Sequence, residues 1–460
     1  MLRYALRRLT YLPLSLFLLS LVCFGLQQIT PGDPVDHLLP ETSIRTAETD
    51  PEIYERTYRR AAASLGYDLP PFYFSIRNAA LPDTLHRIVR PEERAGLRAL
   101  TLRYGNWPLV QEYYRTLRRS SWNPDLPGDL SASLRRLLFQ DDPDRIQRQV
   151  DALEEKHGQL DLVAAHANMV KGATRAKLLL PTFQLHGTAN RYHRWAGRIL
   201  SGDFGLSYLS RRPVSGQIKR AFRRTALLNG ITLLVVYLIA LPLGLYAAGY
   251  RGSRFDRWST VGLFILFGLP SFWIATLLAN FFTTPAYGMD WFPSMGFGDA
   301  PEGSGLWTVI TTKAKYLFLP VLCLAYPSWA YVSRHLRRSA LGEMKKAYVT
   351  TARLKGLPTS RILWGHVFRN ASFPIITLLG GIFPALLAGS VLIEKIFNIP
   401  GMGLLLFDSA INRDWPVVIA LVLLNGILTA FGLLVADLGY ALADPRVQLG
   451  EGGVPKSGGE

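Results

Sequence analysis

Apolar residues gather into six long runs, near 9–29, 226–249, 258–282, 317–333, 372–393 and 416–441, separated by polar segments of very unequal length. A hydrocarbon layer of about 30 Å needs about 20 apolar residues of helix. Each run therefore predicts a spanning helix, and the chain reads as an all-α membrane protein. Between the first two runs the pattern changes: across 33–190 charges are frequent and apolar positions recur at helical spacing over short windows. Asp50-Pro51-Glu52, ahead of Ile53, Tyr54, Tyr58 and Ala62, has the form of a cap, a first-turn proline and a first-turn acid. Similar starts fall at Pro91-Glu92-Glu93, followed by Leu97 and Leu100, and at Asp142-Pro143-Asp144, followed by Ile146 and Leu153. A small all-α domain is expected there.

Charge sharpens this division. The chain holds 51 Lys and Arg against 34 Asp and Glu, a net of +17. The 33–190 stretch has 21 of each, so the whole excess lies beside the apolar runs. That placement speaks against a nucleic-acid binder and for basic flanks of membrane helices. With the N-terminus inside, segments 1–8, 250–257, 334–371 and 442–460 are cytoplasmic and hold 17 basic residues against five acids, whereas loops 283–316 and 394–415 each carry a net of −1. Both termini are then cytoplasmic. Residues 191–224 run against the rule, with nine basic residues against Asp203, among them Arg211, Arg212, Lys219, Arg220, Arg223 and Arg224. Long translocated loops escape the charge bias. An interfacial helix with arginines reaching lipid headgroups is the favoured reading of this cluster, ahead of substrate steering.

The expected organisation is an N-terminal anchor over 1–32, an extracytoplasmic region over 33–224, a five-helix core over 225–445 with a cytoplasmic loop at 334–371, and a tail over 446–460. The first run follows Arg3, Arg7 and Arg8. It is too long for a signal-peptide core and no small-x-small site follows it, so a retained anchor is expected.

Candidate chemistry is sparse. Cys23 and Cys323 lie in apolar runs, as space-filling thiols do. His37, His86, His157, His166 and His186 are scattered, adjacent Asp141 and Asp142 suit a solvated helix start, and no metal spacing, nucleophile elbow or GxxxxGK[ST] loop occurs. Asp437 is the one acid well inside a run, near its cytoplasmic end. The 334–371 loop does have internal order: a helix over Glu343–Leu354, a Lys355-Gly356-Leu357-Pro358 turn, and a second helix over Ser360–Arg369 capped by Thr359. Such a basic helix pair suits anionic lipid, nucleic acid or a partner's groove. Its apolar Val349, Ala352, Ile362 and Val367 favour the groove.

Tyr348-Val349-Thr350-Thr351-Ala352-Arg353-Leu354-Lys355-Gly356-Leu357, continued by Arg361, His366, Arg369-Asn370-Ala371 and Pro374, resembles the inner-membrane permeases of dipeptide and oligopeptide ABC importers. The resemblance extends to Thr30-Pro31-Gly32-Asp33-Pro34, Leu200-Ser201-Gly202-Asp203-Phe204-Gly205 with Ser207, Gly268-Leu269-Pro270-Ser271-Phe272-Trp273, Glu394 through Ile399-Pro400-Gly401-Met402-Gly403, Asn412-Arg413-Asp414-Trp415-Pro416 and Asp444-Pro445-Arg446. It implies a type I importer permease in the bacterial inner membrane, paired with a second homologous permease, two ATPase subunits and an extracytoplasmic peptide-binding protein. This chain would bind no cofactor, because ATP and Mg belong to the ATPases. Tyr348, Thr350, Thr351, Ala352, Arg353, Lys355, Gly356 and Leu357 would form the ATPase-coupling loop. Pro270, Ser271, Phe272, Glu394, Pro400 and Gly401 would be pathway or structural motif residues. Read from the residues alone, Pro270 kinks the third span, beside a pathway or as a plain packing kink, and Gly380, Gly381 and Gly389 permit close helix approach, in general packing ahead of contact with a partner permease.

The chain departs from the family pattern in one place. Leu65-Gly66-Tyr67-Asp68-Leu69-Pro70 looks like an element that normally runs almost directly into the segment at Tyr192–Leu206, so about 115 residues, from near Ser75 to near Asn190, read as an inserted helical domain. Two rival classes stay in view. A secondary transporter would favour intramembrane charges and repeated spans, and a tethered sensor or enzyme would need an active-site constellation in 33–190.

Overall fold

A computed structural model describes residues 2–30, 32–39, 51–122, 127–140, 142–157, 161–285, 288–299, 301, 303–372, 375 and 391–443. The chain divides into two compact units, Pro31–Gly202, and Met1–Thr30 together with Asp203–Glu460.

In the 31–202 unit, five helices, Pro91–Tyr104, Trp107–Ser121, Gly128–Leu137, Pro143–His157 and Asp161–Lys171, enclose one apolar core. Leu97, Leu100, Ile146 and Leu153 are buried in it, as their spacing requires. Asp142 caps its helix, its Oδ1 accepting the Asp144 N–H at 3.0 Å, and Pro143 and Pro91 each open a helix at a position whose N–H would have no partner. Asp50 and Asp141 lie outside the described residues. The turn after Pro91–Tyr104 needs Gly105: its φ is +71°, and a Cβ there would stand 2.3 Å from the Thr174 carbonyl oxygen. The Pro51–Leu65 helix lays Tyr58 and Ala62 over Val35, Leu39 and Val89, and the Tyr58 hydroxyl donates to Asp33.

Strands also occur here, which the helical reading did not include. β1 (Phe74–Asn78) pairs antiparallel with β2 (Pro181–Leu185), from Phe74 opposite Leu185 to Asn78 opposite Pro181. Residues 79–180 thus leave and re-enter the chain side by side. Five residues alternating apolar and polar suffice for this ladder, but that is too short a pattern to stand out among helices. Beyond β2, Asn190 caps the Arg191–Leu200 helix by accepting the His193 N–H at 2.8 Å. Two of its arginines bond to backbone carbonyls of the same unit. Arg194 donates to the Ala63 and Ser64 carbonyls at 3.0 Å each, closing the C-terminus of Pro51–Leu65, and Arg191 donates to Leu69 and stacks over the Tyr67 ring. These two serve the fold of their own unit, which corrects their assignment to lipid headgroups.

His166 is 2% exposed, with the Tyr113 ring edge-on at 5.6 Å and its Nε2 without a hydrogen-bond partner. Burial pushes its pKa below the ordinary histidine range, and Asp151 pulls only weakly the other way. The unfolded chain then binds the proton more readily than the native one. Stability should be complete above the unfolded value of about 6.5 and decline as pH falls from there through the native value. Hydrogen-exchange protection of 91–171 in the full chain is expected to weaken between neutral pH and pH 5, and His166→Leu to flatten that dependence. An unchanged slope in the variant would remove His166 as the cause.

The second unit is built on two long helices, Val214–Gly249 (36 residues) and Leu306–Glu343 (38 residues). They approach closely at Gly244, where a Cβ would stand 2.6 Å from the Ser333 carbonyl oxygen. Leu2–Ile29 packs along Trp415–Ala443, with Gly426 admitting Leu19. Cys23 and Cys323 are free and buried. Among the described residues, four helices are long and apolar enough to cross a membrane, and a fifth span results if Arg254–Gly268 and Ser271–Thr283, bent by 90° to each other, count as one. The third expected span is therefore broken rather than kinked. The fourth does not stop at 333 but continues unbroken to Glu343, because Arg334 to Ala340 keep helical spacing with Leu336 and Ala340 buried. Most of the 372–393 run, including Gly380, Gly381 and Gly389, lies outside the described residues, as do Pro374 and Asp444-Pro445-Arg446.

Candidate functional site

After Glu343 the chain turns and forms a separate short helix, Ala347–Leu354, so the single helix expected from 343 to 354 is two. The joint is polar. Glu343 accepts from Lys346 Nζ and from the Tyr348 hydroxyl, both at 2.6 Å, and Asn370 Nδ2 donates to the Tyr348 oxygen at 3.2 Å. Burial, and next the bond to Glu343, hold the Tyr348 phenol above its usual range. At the far end Gly356 has φ +77°, the Leu357 N–H reaches back to the Ala352 carbonyl at 3.3 Å, and the chain reverses. Pro358 occupies the position before the next helix and Thr359 is its first residue without a side-chain capping bond, which corrects the role given to Thr359. That helix runs over 359–371 and contains a π-helical turn at Leu363–Val367.

Val349, Ala352, Ile362 and Val367 are not offered to a partner. They are buried with Ala248, Leu336 and Ala340 in a core made by the chain's own long helices. Their period marks a covered face, but which surface they meet is a tertiary fact. What the segment does present is the opposite side: Thr350, Thr351, Arg353, Lys355 and Gly356 are exposed, and Leu354 is 84% exposed. Leu357 is half-buried.

At the break in the third span, Leu269 and Pro270 are extended and Ser271 begins the second arm. A residue before proline avoids helical geometry. The Tyr326 hydroxyl donates to the Leu269 carbonyl at 2.8 Å, so the opened backbone is tied to the 306–343 helix. Phe272 and Trp273, each 49% exposed, stand at the start of that arm.

A third cluster unites segments far apart in sequence. Glu394 is fully buried, and its carboxylate accepts from the Thr225 hydroxyl at 2.8 Å and the Leu404 N–H at 2.9 Å. Thr225 Oγ1 in turn accepts the Met402 N–H at 2.8 Å. Gly401 is obligatory, since a Cβ would fall 2.4 Å from Thr225 Oγ1 and 2.6 Å from Glu394 Oε2. Pro400 is exposed and leads into Gly401, which precedes the Met402–Ile411 helix. Nearby in the same unit, Asp414 accepts from the Ser207 hydroxyl and, at 2.8 Å, from the Tyr208 N–H. Thr225 was not singled out in the sequence. A threonine among the basic residues before a span carries no local sign of its partner.

Asp256 and Arg337 form a bidentate pair, 2.8 Å on each arm, between the Arg254–Gly268 and Leu306–Glu343 helices. The Asp256 side chain is 8% exposed and the Arg337 side chain 30%. Arg337→Ala should lower stability by about 2 kcal/mol, below the figure for a fully buried pair because Arg337 keeps part of its hydration. Arg337→Lys, which lacks the fork, should recover less than half. Thermal melts of the purified membrane protein measure both, and equal melting of all three forms would deny the pair a structural role.

Helices of spanning length, a broken span and a short helix braced outside the long pair define a multi-span membrane subunit. Residues 240–449 match the family model described as "Binding-protein-dependent transport system inner membrane component". The chain is 34% identical over 259 residues to the oligopeptide transport system permease protein AppB of Bacillus subtilis, covering 56% of this chain and 80% of that one. It is 37% identical over 262 residues to the inner membrane ABC transporter permease protein YejB of Escherichia coli O157:H7, covering 56% and 71%. With the peptidoglycan transport system permease protein YejB of Agrobacterium fabrum it shares 35% over 247 residues, covering 53% and 68%. The chain belongs to this family of ABC-importer permeases, membrane subunits that are not enzymes and work with a separate ATPase.

Proposed function

We propose that the chain is one of two permeases lining a path for peptides delivered by an extracytoplasmic binding protein, with both termini and the 334–371 loop in the cytoplasm. Two ATPase subunits, holding ATP and Mg, dock on the loop and drive the change of access. The observation that carries this reading is the Ala347–Leu354 helix: it is rooted in the chain's core by Val349 and Ala352, yet holds Leu354 almost wholly in solvent beside Arg353, Lys355 and Gly356. An exposed leucine at the tip of a braced, basic lever suits a groove in a partner. Peptide as cargo follows the names of the relatives. The 31–202 unit, with 79–180 carried on a two-stranded neck, fits an insertion in the outer loop. An insertion of that kind costs little when its ends are adjacent.

Purification in mild detergent with identification of the retained subunits tests the reading. The native chain should bring two ATPases and a second permease. Leu354→Asp should reduce retained ATPase more than tenfold, consistent with loss of one central apolar anchor, and leave the second permease in place. Purification of the chain alone, with uptake into liposomes in the absence of ATP, would overturn the proposal in favour of a gradient-driven carrier.

A further inference from the structure

We infer that Lys219, Arg220 and Arg223, with the apolar track that continues them along the Val214–Gly249 helix, form a binding site for an anionic phospholipid. All three cations are exposed, and none forms an ion pair among the described residues. Arg224 is different: it pairs with Asp299 at 3.2 Å. Exposed positions 219, 223, 227, 230, 234 and 238 follow one another in steps of three or four, which keeps these six on one face of the helix. Leu227, Leu234 and Leu238 on that face are 41%, 68% and 71% exposed.

The dimensions of this track suit a lipid. From Leu227 to Leu238 the helix rises about 16 Å at 1.5 Å per residue, close to one leaflet of a core about 30 Å thick. Between 239 and 249 no position of the helix is exposed. An interface with another helix would have no reason to end at mid-bilayer, whereas an acyl chain ends there. At the other end, the cations stand four to eight residues before Leu227, at headgroup depth, where long basic side chains meet phosphate without leaving water. A protein partner laid on the same face would have to bury three positive charges beside the apolar track, and that is costly unless each is paired.

The full chain in its complex, purified in mild detergent and exchanged into nanodiscs of phosphatidylcholine with phosphatidylglycerol, is analysed for retained lipid by native mass spectrometry. Phosphatidylglycerol should be retained over phosphatidylcholine. Retention should fall about fivefold for each charge removed in the series ending at Lys219→Gln/Arg220→Gln/Arg223→Gln. Arg220→Lys/Arg223→Lys, which preserves charge, should retain it, and Arg115→Gln/Arg119→Gln, exposed arginines of the 31–202 unit, should leave it unchanged. Equal retention in the triple variant overturns the site. Displacement of the lipid by glycerol 3-phosphate or inorganic phosphate alone overturns it in favour of a soluble-anion site, and cross-linking of Leu234→Cys to the second permease, with no retained lipid, in favour of a protein occupant.

Discussion

Glu394→Ala should sharply lower the stability of the folded protein and its accumulation in the membrane. The carboxylate is fully buried, and both oxygens accept hydrogen bonds, one from the Thr225 hydroxyl and the other from the Leu404 N–H. Leu404 lies in the first turn of Met402–Ile411, where helix N–H groups have no partner within the helix and a negative charge is favoured. Alanine leaves that N–H without an acceptor, frees a hydroxyl that also orders Met402, and opens a cavity. The combined cost is about 3–5 kcal/mol, a large share of a total stability of about 5–15 kcal/mol. Glu394→Gln keeps one acceptor but turns an amide N–H₂ toward a donor, so an intermediate loss is expected. Gly401→Ala attacks the same cluster from the backbone side, its Cβ driven against Thr225 Oγ1 and Glu394 Oε2. Melting temperatures of the purified proteins should fall in the order native, Gln, then the two alanine variants. A neutral Gly401→Ala would show that the cluster yields, and with it the large penalty assigned to Glu394 would go.

Much of this architecture is legible in local pattern, and the limits of that legibility have a physical form. Spans show because lipid demands about 20 apolar residues, and the helix starts at Pro91 and Pro143 show because proline tolerates only the first turn. The bend at Leu269-Pro270 shows as a proline in an apolar run, but its 90° size does not, and neither does the donor that meets the opened Leu269 carbonyl, the hydroxyl of Tyr326, 57 positions away. Glu394 and Gly401 are visible as motif residues while Thr225, which joins them, is not. The period of Val349 and Ile362 marks a covered face on each helix, and the cover is the chain's own long helices instead of a partner. Periodicity reports that a face is covered and is silent on whether the cover comes from the same chain. The pairing of β1 with β2 joins residues 107 apart at the Arg77–Gln184 contact, a separation beyond any short-range hairpin signal.

Substitutions at Gly356 should separate coupling from folding, and their order is set by backbone geometry alone. A Cβ at this position would have no atom within 4 Å, so steric contact contributes nothing. The φ of +77° is what excludes side chains: left-handed backbone costs an ordinary L-residue about 1–2 kcal/mol, less for asparagine, and proline is locked near −65°. Asparagine should therefore retain most transport. Alanine should lose about tenfold, the equivalent of about 1.4 kcal/mol. Proline cannot hold the turn and also removes the Gly356 N–H bond to the Arg353 carbonyl, so transport should vanish and retained ATPase subunits with it. Throughout the series the membrane helices should melt as in the native protein, because Val349, Ala352 and Ile362, which root the segment, are untouched. Transport by Gly356→Pro equal to the native level would place the ATPase contact elsewhere. Loss of transport in parallel with lowered melting of the whole unit would make the turn a folding element, with no separate part in coupling.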